Sequence, residues 1–172
     1  AIAGDDIFLC ENETVTLDGS ETWVGENVII NWFTQDGNFV EGQNTLTPAV
    51  DVGGIYTIAT MDTTANCVDT SSVEVIVAPI LEAQIAPPGF INCLTNQMVT
   101  LEPSSFSAFN TVFQWRNIDG DILSDNVICQ PSGVPCLIVT SPGEYVFEVI
   151  DFVTGCIKSD TVTVMADVDT PI

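Results

Sequence analysis

The chain of 172 residues contains a duplicated pattern, and this repeat constrains its fold more than any other feature. The segment from Cys10 to Leu17 recurs as the segment from Cys93 to Leu101, and both segments end in Val-Thr-Leu. Matching segments in a fixed order are the sequence signature of tandem structural units. We therefore predict two domains, residues 1–78 and residues 79–172.

Further landmarks recur in the same order after each opening segment. Each copy has a Trp followed four residues later by Asp-Gly, then Gly-x-Tyr, then a cysteine eleven residues after the tyrosine. The second copy is six residues longer between its Trp and its Gly-x-Tyr, where it carries a cysteine pair of its own. We therefore predict a disulfide-closed insert at residues 129–136. The landmarks are Trp32, Tyr56 and Cys67 in the first copy and Trp115, Tyr145 and Cys156 in the second.

Apolar residues recur at every second position in several segments, which predicts half-buried β-strands. In the second copy Tyr145, Phe147 and Val149 would share one face, and in the first copy Tyr56, Ile58 and Thr60 would correspond to them. A further face would carry Val73, Val75 and Val77.

Each copy offers about seven short strands, with a Trp on the third and a Tyr that opens the sixth. This arrangement is typical of an immunoglobulin-like sandwich. We predict an all-β chain of two tandem immunoglobulin-like β-sandwich domains. Trp32, Trp115, Tyr56 and Tyr145 would be structural core residues, and the two tyrosines would each make a tyrosine-corner hydrogen bond.

The charge balance limits the partners and the chemistry. The chain has 24 acidic residues, two basic residues and no His, which gives a net charge of −22. Binding to nucleic acid requires Lys and Arg, so nucleic acid is excluded as a partner. Membrane insertion is not expected, because no stretch reaches the ~18–20 apolar residues of a membrane span. Without a His, a nucleophile elbow or a phosphate loop, the sequence gives no support for an enzyme.

The repeated motif resembles a known family. Cys-x-x-x-x-Val-Thr-Leu, Trp-x-x-x-Asp-Gly, Gly-x-Tyr and a cysteine before a Val-x-Val strand are similar to the PKD-like and immunoglobulin-like repeats of large secreted proteins of Bacteroidota. Such repeats occur in gliding-motility adhesins and giant surface filaments. The resemblance implies export, an extracellular location at the cell surface, and a role as stalk, spacer or adhesive module. The cysteine insert and Pro103 depart from the family pattern.

Six cysteines indicate disulfides and an oxidising compartment. Cys129 and Cys136 are close enough in sequence to close a local loop. Two pairings remain open for the other four. Pairing within each copy gives Cys10–Cys67 and Cys93–Cys156, although the positions of Cys10 and Cys67 suggest opposite ends of a sandwich. The alternative joins the two domains through Cys10–Cys156 and leaves Cys93 for a following repeat.

Two functions are compatible with these observations. The first is a structural repeat segment of a long extracellular filament, stalk or adhesin, whose partners are neighbouring repeats or other copies. The second is a carbohydrate- or cell-binding adhesion module that binds surface glycans through loops around Trp23, Phe106 to Phe109 and the cysteine insert. We predict no organic cofactor. Calcium is the candidate metal, with Asp119, Asp121 and Asp125 as its ligands, although they lack the EF-hand spacing.

Overall fold

The computed structural model describes residues 1–92, 97–123, 127–129 and 133–167. The chain divides into two units, Ala1–Ile80 and Leu81–Ile172. The division lies two residues after the predicted boundary, because Pro79 and Ile80 belong to the first unit. All secondary structure of the described residues is β-strand and turn, as the all-β prediction requires. In the described part of the chain, no helix is long and apolar enough to cross a membrane.

Unit 1, all of whose residues are described, has seven strands. They form two sheets, a four-stranded sheet in the order β1-β7-β6-β3 and a three-stranded sheet in the order β2-β5-β4. The pairs β3–β6 and β6–β7 are antiparallel, and the pair β1–β7 is parallel. The strands are β1 (Ile7–Leu9), β2 (Val15–Thr16), β3 (Val28–Thr34), β4 (Phe39–Glu41), β5 (Ala49–Val50), β6 (Gly54–Asp62) and β7 (Cys67–Val77).

Unit 2 has nine strands within its described residues. They form sheets in the orders β12-β11-β15-β16, β13-β14-β9 and β10-β8. The strands are β8 (Ala83–Ile85), β9 (Val99–Leu101), β10 (Pro103–Phe106), β11 (Thr111–Asn117), β12 (Ile122–Leu123), β13 (Val127–Ile128), β14 (Pro135–Val139), β15 (Gly143–Asp151) and β16 (Ile157–Val164).

The strand order predicted for the two copies holds in unit 1 and differs in unit 2. Trp32 lies on the third strand and Tyr56 near the start of the sixth. In unit 2 Trp115 lies on the fourth of the described strands, because the chain changes sheets at Glu102. Before that residue β9 pairs with β14, and after it β10 pairs with β8.

Each unit has its own apolar core around its tryptophan. The predicted alternation puts Tyr56 and Ile58 of β6 inside unit 1 and Phe147 and Val149 of β15 inside unit 2, all of them inaccessible to solvent. Of the three valines predicted to share one face of β7, Val73 and Val75 are buried and Val77 is not. Val77 is 64% exposed, because the core cluster of unit 1 ends at Val75.

Candidate functional site

The chain enters unit 1 beside the start of β7. The nitrogen of Ala1 donates a hydrogen bond to the carboxylate of Asp69, and the amide of Ala3 donates to Ser71 Oγ at 3.2 Å. Cys67, the first residue of β7, is therefore two residues from the contact made by Ala1. We call this end of unit 1, with Ala1, Cys67 and Asp69, the entry pole.

The chain leaves unit 1 at the other end of the same strand. β1 runs parallel to β7, with Leu9 in register with Val77. The amide of Ala78 then donates to the Leu9 carbonyl at 2.9 Å. Cys10 follows Leu9 directly, so it lies beside the departing chain. We call this end, with Leu9, Cys10 and Ala78, the exit pole.

This topology excludes the predicted Cys10–Cys67 disulfide. Ten residue steps of β7 separate Cys67 from Val77, which at ~3.3 Å per residue amounts to about 33 Å. A disulfide requires Cα atoms within about 7 Å. Cys67 is an exposed free thiol, whereas Cys10 is disulfide-bonded.

Unit 2 repeats this arrangement. The amide of Ile85, on the first strand of the unit, donates to Asp160 Oδ2 at 2.8 Å. Asp160 lies four residues after Cys156, as Ser71 lies four residues after Cys67. Cys156 is disulfide-bonded. Its proposed partner within the copy, Cys93, lies outside the described residues, so both Cys93–Cys156 and Cys10–Cys156 stay predictions.

The parallel pairing of the terminal segments is also present in unit 2. Ile91 forms a parallel bridge with Ala166. Its amide donates to the Met165 carbonyl, and its carbonyl accepts from the Asp167 amide, both at 3.0 Å. In each unit, therefore, a segment near the start of the unit is bonded in parallel to a segment near its end.

The cysteine insert of unit 2 is closed. Cys129 and Cys136 form a disulfide with their Cα atoms 5.6 Å apart. The turn also contains hydrogen bonds from the Cys129 amide to Val134 and from the Gly133 amide to Cys129. The insert leads directly into β14, whose Pro135 carbonyl accepts the indole hydrogen of Trp115 at 2.9 Å. The insert thus supports a residue that contacts the core tryptophan.

Both tyrosines form a tyrosine corner, but their surroundings differ. The Tyr56 hydroxyl donates to the Val52 carbonyl at 2.6 Å and accepts from the Asn38 amide at 2.9 Å. The Tyr145 hydroxyl donates to the Ser141 carbonyl at 2.9 Å, in an exposed setting. Each carbonyl lies four residues before its tyrosine. Burial raises the pKa of both phenols above the usual value.

The Asp-Gly turns that follow the tryptophans have different roles. In unit 1 the turn glycine, Gly37, lies under the Tyr56 ring, where a Cβ atom would collide with the hydroxyl. In unit 2 Gly120 is open to solvent, but its φ of +90° favours glycine. The same turn sequence thus supports the corner in one unit and only the backbone conformation in the other.

The predicted calcium residues lie at the second of these turns. Asp121 Oδ2 accepts from the Asn117 side-chain amide at 2.9 Å, and the Asp121 amide donates to Asn117 Oδ1 at 2.7 Å. Asp119 is exposed in the same turn, and Asp125 lies outside the described residues. Among the residues that the structure describes, no group of three or more His, Cys, Asp or Glu side chains could hold a metal ion.

Exposed aromatic residues occur in two of the loops proposed for ligand binding. Trp23 is 73% exposed and Phe109 is 84% exposed. The inclusion of Phe106 among the loop residues is wrong, because Phe106 belongs to β10 and packs edge-on against Phe113, with ring centroids 5.4 Å apart. Trp32 and Trp115 are buried and cannot contact a ligand.

A shallow groove joins Trp23 to the entry pole. We call it the Cys67 groove, and its lining includes Trp23, Val28, Thr60, Asp62, Cys67 and Val68. The Cys67 thiol is a weak donor to the Ala65 carbonyl at 3.7 Å. Asp62 accepts from the amides of Ala65 and Thr64, and these bonds lower its pKa. Sequence analysis missed this groove, because Trp23 and Cys67 are 44 residues apart.

Comparisons with solved structures concern the fold alone. The chain is similar to extracellular domains 3–5 of Drosophila OTK, with 14% identity, a TM-score of 0.43, and coverage of 95% of this chain and 59% of that fragment. The I-band fragment I67–I69 of titin gives 15% identity and a TM-score of 0.37, with coverage of 94% and 62%. The eight N-terminal immunoglobulin domains of the Down Syndrome Cell Adhesion Molecule give 13% identity and a TM-score of 0.48, with coverage of 95% of this chain and 27% of that fragment.

The chain is a tandem pair of immunoglobulin-like β-sandwich units. This follows from the paired sheets, the buried tryptophans and the tyrosine corners described above. The chain spans less than two thirds of each of the three solved fragments. No protein-family model matches the chain, and a comparison with curated protein sequences finds no relative.

Proposed function

We propose that this chain is a structural repeat segment of an extracellular filament, stalk or adhesin, in which sandwich units carry load along the chain. The observation that supports this proposal most directly is the parallel pairing of β1 with β7. The chain enters unit 1 at one end of β7 and leaves at the other, beside Leu9. Its partners would be neighbouring repeats of the same chain or other copies.

The direction of the strands decides how such a unit responds to tension. A pull on the two ends of unit 1 draws β1 toward the entry pole and β7 toward the exit pole. The two strands would slide along each other, so their hydrogen bonds would be loaded together instead of opening one after another. In unit 2, Ile91 is hydrogen-bonded in parallel to Met165 and Asp167, so tension on that unit would load these bonds in the same way.

The cysteines support a location outside the cell. Disulfides persist in oxidising compartments and are rare in the cytosol, and Cys10, Cys129, Cys136 and Cys156 are all disulfide-bonded. The similarity to the extracellular domains of OTK is compatible with this location. The resemblance of the repeated motif to surface repeats of Bacteroidota is the basis for proposing the cell surface and a bacterial origin. The proposed role requires no catalytic site.

Asp6 offers a specific test of load bearing. Its carboxylate accepts from the Glu74 amide at 2.8 Å, which extends the β1–β7 contact by one bond. In single-molecule pulling through the ends of the chain, Asp6→Ala should lower the unfolding force of unit 1. Loss of this exposed bond should cost about 1 kcal/mol at equilibrium.

The matched control is Asp5→Ala, which removes the same charge one residue away. Asp5→Ala should leave the unfolding force of unit 1 unchanged. If Asp6→Ala lowered the equilibrium stability but not the force, or if the two variants behaved alike, β1–β7 would not be the load-bearing contact. The proposed role would then lose its main support.

A second candidate function is carbohydrate or cell binding, and the exposure of Trp23 and Phe109 favours it. Aromatic faces that are open to solvent can stack on sugar rings. A glycan array probed with the wild-type chain and with Trp23→Ala would test this function, since a glycan signal that Trp23→Ala abolishes would support it.

Calcium at Asp119, Asp121 and Asp125 remains a proposal, and calorimetric titration with Ca²⁺ of the wild type and of Asp121→Asn would test it.

A further inference from the structure

We propose that the solvent-facing side of β3, β6 and β7 in unit 1 is a dimerisation surface, on which the same side of a second copy docks. We call this surface the outer face. The proposal rests on the proposed function as a repeat segment, and it names the face through which two copies would associate side by side.

Two apolar clusters are exposed on the outer face. The antiparallel register places Ile29 beside Met61 and Met61 beside Val68, so these side chains form one row across the three strands. At the other end of the face, Phe33 and Ile55 line a shallow depression. All five side chains are between 37% and 63% exposed. Large apolar side chains gathered on one exposed surface are typical of a protein–protein contact.

The exposed apolar area is sufficient for a weak dimer. At these exposures the five side chains present roughly 500 Å² per copy, which is near the upper end of the largest patch on a typical monomer. Two such faces would together bury about 1,000 Å² of apolar surface, which is close to the smallest total area of a specific interface. Because contacts of this size are weak, we expect a dissociation constant on the order of 10 μM.

The charge of the outer face favours a second copy as its occupant. Alternate residues of β3 from Ile29, of β6 from Ile55 and of β7 from Val68 point outward, and the charged residue among them is Glu74, at one end. A basic partner would be held by carboxylates, which are scarce on this face. A second copy has the same net charge of −22 and is repelled wherever carboxylates meet carboxylates. On the outer face two copies can meet without that repulsion.

The outer face is also complementary to itself. Ala59 lies between the two apolar clusters, in register with Asn31 and Thr70. A two-fold axis that crosses the strands at this row would reverse the strand direction in the second copy. The row that contains Met61 in each copy would then lie over the depression beside Phe33 in the other. Such an isologous contact closes with two copies.

Unit 2 has charged residues at the equivalent positions. Arg116 follows its tryptophan directly, as Phe33 does in unit 1, and Glu148 takes the position of Ala59. Arg116 Nε donates to Glu148 Oε2 at 2.7 Å, and the Gln114 side-chain amide donates to the same oxygen. Pairing two copies through this face would remove the ion pair from water, which costs free energy. We therefore expect association through unit 1 and not through unit 2.

Sedimentation equilibrium of the full chain tests the proposal. The measurement uses a Cys67→Ser background, so that no intermolecular disulfide of this thiol contributes. We expect a monomer–dimer equilibrium that tightens about tenfold or more between ~10 mM and ~0.5 M NaCl, because salt screens the repulsion between two acidic copies. A chain that stays monomeric at about 1 mM in both salt concentrations would overturn the proposal.

Two variants locate the contact. Ile29→Thr keeps a β-branched residue in β3 and should weaken the dimer about tenfold. Its matched control is Val112→Thr in unit 2, which also lies three residues before a tryptophan and is 50% exposed. The control should leave the dimer unchanged. Phe33→Glu places like charges in the contact and should abolish the dimer. Equal effects of the two threonine variants, or a dimer that persists in Phe33→Glu, would refute the assignment to the outer face.

Failure of this proposal can be distinguished from failure of the proposed function. The unfolding force of unit 1 depends on β1 and β7 within one molecule, so Ile29→Thr should leave this force unchanged. A normal dependence of the force on Asp6 together with a monomeric chain would remove only the dimerisation surface.

Discussion

Replacement of Tyr56 by Phe tests how the tyrosine corner stabilises each unit, and Tyr145→Phe in the same chain is its matched control. Both changes remove one hydroxyl and leave the ring. Tyr56 is inaccessible to solvent and its hydroxyl has two backbone partners, Val52 and Asn38. Tyr145 is half-buried, and its hydroxyl is described with one partner, Ser141, in an exposed setting.

The expected magnitudes follow from these partners. A hydrogen bond contributes about 0.5–1.5 kcal/mol, and a buried polar group left without a partner costs about 1–3 kcal/mol. Tyr56→Phe leaves a partly buried carbonyl and a partly buried amide, so we expect a loss of about 2–3 kcal/mol in unit 1. For Tyr145→Phe water can replace the lost bond at Ser141, so we expect a loss of about 1 kcal/mol or less in unit 2.

Urea unfolding of the full chain, followed by tryptophan fluorescence, measures both losses. For domains of this size the free energy of unfolding changes by about 1 kcal/mol per molar urea. The midpoint of unit 1 should therefore fall by about 2–3 M in Tyr56→Phe, and that of unit 2 by about 1 M or less in Tyr145→Phe. Equal shifts, or a larger shift in unit 2, would refute the argument that burial of the two partners sets the contribution of the corner.

Two further predictions concern alkaline pH and the cysteine insert. Because burial raises the pKa of Tyr56, its contribution to stability is complete below the unfolded pKa of about 10 and is lost as pH rises through the folded pKa. Urea midpoints of unit 1 should thus fall above pH ~10, and a fall equally steep in Tyr56→Phe would contradict this cause. Replacing Cys129 and Cys136 by Ala should destabilise unit 2 by about 2.5 kcal/mol, from the closure entropy of a short loop. Calorimetry should show a lower melting temperature for unit 2 only. An unchanged melting temperature of unit 2 would mean that the Cys129–Cys136 disulfide stabilises only its own turn.

Several structural features could be predicted because they depend on nearby residues. Alternation at Tyr56 and Ile58 specifies which face of β6 is buried, since neighbouring side chains of a strand point to opposite faces. The order of tryptophan and tyrosine along the chain indicated the sandwich. The loop from Cys129 to Cys136 is short enough for its ends to meet whatever the rest of the chain does.

Other features could not be predicted because their outcome depends on elements outside the local pattern. Val77 continues the alternation of Val73 and Val75, yet it is exposed because the core ends before it. Phe106 lies close in sequence to the exposed Phe109, but the change of sheet at Glu102 places it in β10 against Phe113. No local pattern encodes how far a core extends or where a strand changes its partner.

By itself, the sequence determined that this protein is two copies of one all-β unit with a tryptophan core, because duplication and period-two alternation are visible along the chain. Only the tertiary structure showed where Cys10 and Cys67 lie relative to each other. The parallel register of Leu9 with Val77 places Cys10 at one end of β7 and Cys67 at the other. Register joins residues that are distant in sequence, so the spacing of the cysteines alone could not exclude a Cys10–Cys67 bond, whereas the register of β1 with β7 does.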